Sequence, residues 1–167
     1  MYDELTEVDI RKMREEIEYR VTVLRPKLIE DVKTAREWGD LSENFEYKAA
    51  KREKNRNDSR VRYLERMIKT AKIIAVEQTE GIGLFDWVEI LMENLNRVMT
   101  VRVSTALRQD AVHGIVSKDS PMGKALLGRR EGERVEVEVG PDTHYYITIR
   151  KVTKAAGDDD TLEIRGY

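Results

Sequence analysis

The segment Arg36-Glu37-Trp38-Gly39-Asp40-Leu41-Ser42-Glu43-Asn44-Phe45-Glu46-Tyr47 separates two long helical seams, and its brevity decides the fold of the N-terminal half. Upstream, apolar residues recur at Ile10, Met13, Ile17, Leu24, Leu28, Val32 and Ala35, close to a heptad seam. Downstream, Tyr47, Ala50, Lys54, Asn57, Val61, Leu64, Ile68 and Ala71 follow in alternating short steps. Each seam predicts a helix of about 30 residues, about 45 Å long at 1.5 Å per residue. With only Gly39-Asp40-Leu41-Ser42 between them, two helices of equal length fold back as an antiparallel hairpin. Gly39 suits the left-handed position that ends the first helix. Thr6 is placed to cap that helix at its start, with Asp9 three residues on in a capping-box-like arrangement. Pro26 predicts a kink or interruption near Arg25. Lys54 and Asn57 make the middle of the second seam polar, so loose packing is expected there.

The composition changes near residue 73: nine of the ten glycines lie beyond it, and β-branched residues dominate. Short strands are predicted at Asp86–Met92, Arg97–Val103, Val112–Ser117, Glu133–Val139 and Tyr145–Val152, the last two joined by the turn Gly140-Pro141-Asp142-Thr143. One short helix interrupts them, opened by Ser120-Pro121 and stopped by Gly128. The predicted class is α+β, an antiparallel helical hairpin followed by a small domain with a twisted antiparallel sheet. The expected boundaries are a hairpin domain at 1–76 with its tip near 39–47, a linker at 77–83, a second domain at 84–153 and a flexible tail at 154–167.

The chain has no cysteine, which removes disulfides, zinc ribbons and thiol nucleophiles together. The opening MYDELTEVDI carries acids where a signal peptide carries Lys or Arg, and no apolar run approaches a membrane span, so a cytoplasmic protein is expected. His113 and His144 lack metal-ligand spacing and read as ordinary sheet residues. No GxGxxG, P-loop, GxSxG or HExxH pattern occurs. A complete active site is not visible in this chain.

A long, thin hairpin buries little surface for its size, so its tip is the place to look for function. Asp40, Glu43 and Glu46 lie there, with Ser42, Asn44 and Tyr47 among them. Two readings of the first pair stand together. Asp40 with Glu43 three residues later has the spacing of a capping box and complements the helix dipole. The same carboxylates are hard oxygen ligands suited to Mg²⁺. Two carboxylates alone hold Mg²⁺ weakly, so such a site would form only inside another active centre that supplies the remaining ligands. From Lys48 to Lys72 ten basic residues face three acids, leaving the second helix strongly positive. That is either a solvated face or a surface for phosphates or an acidic wall.

The stretch Arg36 to Lys51, with Arg25-Pro26 before it and Arg60 to Glu65 after it, resembles the hairpin-tip signature of the bacterial Gre transcript-cleavage factors. Gly114-Ile115-Val116-Ser117 and Ser120-Pro121-Met122-Gly123-Lys124-Ala125-Leu126-Leu127-Gly128 are similar to the C-terminal module of that family. The resemblance implies a coiled-coil N-terminal domain and an FKBP-like C-terminal domain that docks at the rim of the RNA polymerase secondary channel. It implies that the chain is an accessory factor, a monomer with no cofactor of its own and no membrane association. The hairpin enters the channel, where Asp40 and Glu43 help hold a Mg²⁺ shared with polymerase, whose own active site cleaves backtracked RNA. On the same footing Ser42, Asn44, Glu46 and Tyr47 shape the tip, Lys48, Lys51, Arg52 and Arg56 contact polymerase or the nascent RNA 3′ end, and Ser120, Pro121, Gly123 and Lys124 serve docking. Phe45 stands where a small residue is common in the family, and Lys54-Asn55 where Gln-Gly is common.

Three other classes remain in view. A Gre-like regulator could occupy the channel and inhibit polymerase without stimulating cleavage. A prolyl isomerase needs an apolar pocket, for which Phe85, Trp87, Tyr145 and Tyr146 are too few. A hairpin holdase needs an apolar tip, and this one is charged.

Overall fold

The Thr6–Asp9 spacing closes into a capping box. The Thr6 N–H donates to Asp9 Oδ2 at 3.0 Å, and the Asp9 N–H donates to Thr6 Oγ1 at 3.4 Å. Two donors that a helix start would leave unpaired are thereby satisfied, and α1 (Glu7–Tyr19) follows. Helical backbone continues through a π segment, Arg20–Leu24, into α2 (Arg25–Arg36). Pro26 accounts for the π turn: it has no N–H, and in a regular helix its ring would strike the carbonyl four residues back. Widening the preceding turn, with the Arg25 N–H bonded to the Arg20 carbonyl, accommodates the ring without breaking the helix.

The computed structural model describes residues 3–39 and 44–166. The chain forms two compact units: Ile10–Ala71, and the segment ending at Asp9 together with Lys72–Gly166. In the first unit α3 (Phe45–Thr70) runs back along α2 and the π segment. Asn44 bonds Ala35, Asn57 bonds Arg20 and Arg60 bonds Glu16, so partners ascend on one strand of the hairpin as they descend on the other. Every residue of both predicted seams is buried or half-buried.

The polar middle of the hairpin is not loose. Glu16 accepts from Arg20 Nε at 2.7 Å and from Arg60 Nε at 2.8 Å and Nη2 at 3.2 Å. Asn57, also buried, accepts from Arg20 Nη1 at 2.9 Å and donates to the Arg20 carbonyl at 3.2 Å, on the π segment itself. Burial alone would raise the Glu16 pKa, but the hydrogen bonds from Arg60 and Arg20 outweigh it and hold the carboxyl below its usual value. A satisfied polar layer of this kind fixes register, because sliding either helix by a turn would part Asn57 from Arg20 and Arg60 from Glu16.

In the second unit β1 (Glu4–Leu5) pairs in parallel with β2 (Lys72–Ile73). A five-stranded sheet follows, made of β3 (Trp87–Met92), β4 (Arg97–Ser104), β5 (Ile115–Ser117), β6 (Arg134–Gly140) and β7 (Thr143–Thr153), in the order β5-β4-β3-β7-β6. All neighbouring pairs are antiparallel except β4 and β5, so the sheet is mixed where a wholly antiparallel one is expected from the sequence. The chain between β4 and β5 runs through two 3₁₀ turns and re-enters in the same direction. Register shifts at Glu89/Ile90 and Glu138/Gly140 curl the sheet. Its concave core alternates along the strands, as Val88 and Ile90, Val101 and Val103, Val135 and Val137, and Ile147 and Ile149, with Leu126 of α4 (Pro121–Leu126) packed against it.

The boundaries differ from those expected of the sequence. The presumed linker contributes Ile82, almost fully buried in the core and bonded to Gly128 and Arg129 through its backbone. The presumed flexible tail is held by charge: Asp158 pairs with Arg108 and Asp159 with Arg102, each at 2.7 Å. Arg108 is fully buried, also ion-paired to Asp9 at 2.6 Å, and lies 4.4 Å above the Phe85 ring. A guanidinium in that position needs carboxylates around it, which is why both ends of the second unit's chain converge there. His113 lies in a 3₁₀ turn against Asp110, not in a strand, and His144 sits on β7 beside Tyr146.

Candidate functional site

The tip is built from the two helix ends that frame it. α2 ends at Arg36, and Gly39 adopts φ +136°, a value that favours glycine. α3 begins at Phe45 with Asn44 as its N-cap. Asn44 Oδ1 accepts from the Tyr47 N–H at 3.0 Å, while its Nδ2 donates to the Ala35 carbonyl at 2.6 Å. The same carbonyl accepts the Trp38 N–H at 3.3 Å. One amide side chain therefore caps α3 and ties it to the last turn of α2. The connection is longer than the four residues expected, because α2 ends at Arg36 and α3 begins only at Phe45.

Asp40, Ser42 and Glu43 lie outside the described residues. The start of α3 nevertheless corrects the capping-box reading of the first and last of these. A cap belongs immediately before the first helical residue, and that place is held by Asn44. Glu46 is exposed in the first turn of α3, where a carboxylate complements the helix dipole. Tyr47 is half-buried, its hydroxyl 3.5 Å from Arg36 Nη2 and its ring 5.5 Å from that guanidinium. The hydrogen bond from Arg36 draws the Tyr47 pKa below its ordinary value. Lys48, Lys51, Arg52 and Arg56 are all exposed, and with Asn55 and Ser59 they line a shallow groove along α3. Among the described residues no group of three or more His, Cys, Asp or Glu side chains is placed to hold a metal ion.

The four residues expected to serve docking divide. Ser120 Oγ accepts from the Gly123 N–H at 3.0 Å and donates to the Ser117 carbonyl at 2.6 Å, so it is occupied as the cap of α4. Gly123 is buried against the same carbonyl, which a Cβ would meet at 2.1 Å. Pro121 and Lys124 are exposed and carry whatever this motif presents outward. Among the described residues no helix is long and apolar enough to cross a membrane.

Reading the sequence alone passes over Asn44 as the cap and Ala35 as its partner. The signal was available: asparagine is among the best N-cap residues, and it stands closer to the periodic part of the second seam than Asp40 does. Trp38, a residue type expected from the sequence to pack, is instead 75% exposed, and Phe45, the departure from the family pattern, is 81% exposed.

The architecture to be set beside known families is a helical hairpin joined in sequence to a unit built on a curled five-stranded sheet. The family described as transcription elongation factor, N-terminal, matches residues 4–73, and that described as transcription elongation factor, GreA/GreB, C-terminal, matches residues 77–154. The chain is 38% identical over 137 residues to transcription elongation factor GreA of Caldanaerobacter subterraneus, covering 81% of this chain and 87% of that protein. It is 35% identical over 150 residues to transcription elongation factor GreA of Mesoplasma florum, covering 89% and 96%. A crystal structure of GreA factor homolog 1 from Thermus thermophilus covers 92% of this chain and all of its own, at 24% identity and a TM-score of 0.43. The chain belongs to the GreA/GreB family of transcription elongation factors.

Proposed function

We propose that this elongation factor binds bacterial RNA polymerase, inserts its hairpin into the secondary channel and stimulates the polymerase's own cleavage of backtracked RNA. The observation that carries this reading is the Asn44 cap. Because Asn44 satisfies the start of α3, that helix end does not call on the carboxylates of Asp40 and Glu43, which stand between the two helices in the sequence. Two hard oxygen donors fit a Mg²⁺ whose remaining ligands the partner supplies. When bound, the ion supplies an oriented water of lowered pKa. Asp40 and Glu43 contribute ligand oxygens, Asn44 and Tyr47 hold the base of the turn, and the α3 cations meet polyanionic RNA or acidic protein beside it.

The test is transcript shortening in purified backtracked complexes, comparing the unaltered chain with Asp40→Asn/Glu43→Gln. Shortening by the first, with binding but no shortening by the second, supports donated carboxylates. Binding without shortening by either makes the protein a channel-occupying inhibitor instead.

A further inference from the structure

The two most exposed aromatic rings among the described residues belong to Trp38, two residues beyond the end of α2, and Phe45, the first residue of α3. The chain segments that carry them meet at one acceptor. The Trp38 N–H and the Asn44 amide, adjacent to Phe45, bond the same Ala35 carbonyl. Both lie mostly in solvent, so neither contributes much burial to the fold. Cations stand close to them: Lys48 Nζ is 5.8 Å from the Phe45 ring centroid, and Arg36, the last residue of α2, precedes Trp38 by two positions in the chain.

We infer that Trp38 and Phe45 form a stacking platform for unpaired bases of single-stranded RNA, positioning the extruded 3′ segment beside the acidic turn. This rests on the proposed entry of the hairpin into polymerase. Flat rings recognise the faces of bases whatever their sequence, and duplex RNA cannot offer those faces because its bases are already stacked. Lys48 and Arg36 supply the attraction for phosphates that Asp40 and Glu43 oppose. A platform of this kind adds affinity for the strand without adding a reacting group, so both aromatics are positioning residues.

The experiment places 2-aminopurine at the RNA 3′ end of backtracked polymerase complexes and follows its fluorescence on adding the full chain. An Asp40→Asn/Glu43→Gln background keeps the RNA intact. Quenching is expected with this parent and with Phe45→Tyr, which keeps the ring. Trp38→Ala and Phe45→Ala should bind polymerase as the parent does while each loses most of the quenching, with about tenfold weaker hold on the strand. Equal quenching in all variants, or none in any while polymerase is bound, overturns the platform and leaves the proposed cleavage role standing. Loss of polymerase affinity in the alanine variants, with quenching unchanged at saturation, assigns the rings to a protein surface and also overturns it. A parent that does not bind polymerase overturns both.

Discussion

Asn44 and Ala35 are joined across the hairpin tip by a 2.6 Å hydrogen bond from the asparagine amide to the alanine carbonyl. The other end of the same amide caps α3. Helix initiation and tip geometry are thus vested in a single side chain, and the two roles are separable by substitution.

Asn44→Ala should lose both roles, destabilising the hairpin by about 1–2 kcal/mol. Asn44→Asp keeps an N-cap acceptor but cannot donate to Ala35. It should approach the parent's stability in urea unfolding while stimulating RNA shortening poorly. Equal activity of Asn44→Asp and the parent would show that the tie to α2 is dispensable.

Removing Glu16 takes from buried Arg60 the carboxylate it donates to twice, while removing Arg60 leaves Glu16 with Arg20 as a donor. Arg60 is almost completely shielded, at 4% side-chain exposure, against 20% for Glu16. Glu16→Leu alone is expected to cost about 2–4 kcal/mol, whereas Glu16→Leu with Arg60→Met should recover most of that loss. Urea midpoints of the two single variants and the double variant give the coupling directly, and strictly additive losses would contradict it.

Gly123 and Gly128 test the α4 motif from opposite sides. A Cβ on Gly123 would meet the Ser117 carbonyl at 2.1 Å, so Gly123→Ala must displace α4 and should cost about 1–3 kcal/mol. Gly128 has φ +80° with nothing within 4 Å of such a Cβ, so Gly128→Ala carries only the left-handed backbone penalty, about 1 kcal/mol. A thermal shift larger for Gly128→Ala than for Gly123→Ala would refute the steric account.

Asp159 ties the C-terminal segment to Arg102. Hydrogen bonds from Thr161, then from Arg102, draw its pKa from 3.8 down to about 2. A depressed folded pKa means that the stabilisation is fully present above the unfolded value, near pH 4, and disappears as pH falls through about 2. Stability should therefore decline across that interval, and Asp159→Asn should be less stable at pH 7 but less sensitive to acid between those limits. Parallel pH profiles of the two proteins would exclude Asp159 as a contributor.

The helical hairpin was legible because its signals are local and periodic. The seams from Ile10 to Ala35 and Tyr47 to Ala71, the Thr6–Asp9 box and the Ser120-Pro121 start of α4 all rest on residues within a few positions of one another. The alternation of Val88 and Ile90, or Val135 and Val137, likewise marks strands without knowledge of their neighbours. Family membership was also carried by the order of residues around the tip, and the comparisons agree with it.

Tertiary structure alone decided matters in which distant residues compete or cooperate. The parallel β4–β5 pair depends on the path between strands, which strand composition does not encode. The segment around Asp158 and Asp159 reads as a solvated acidic tail until buried Arg108 and Arg102 appear opposite it. Burial changes the balance, because an arginine removed from water needs carboxylates that the linear sequence keeps far away. At the tip, Asp40 and Asn44 were both plausible caps by type. The carbonyl of Ala35, brought within reach by the antiparallel turn, gave the Asn44 amide a second bond that a carboxylate cannot make, since it has no N–H to donate.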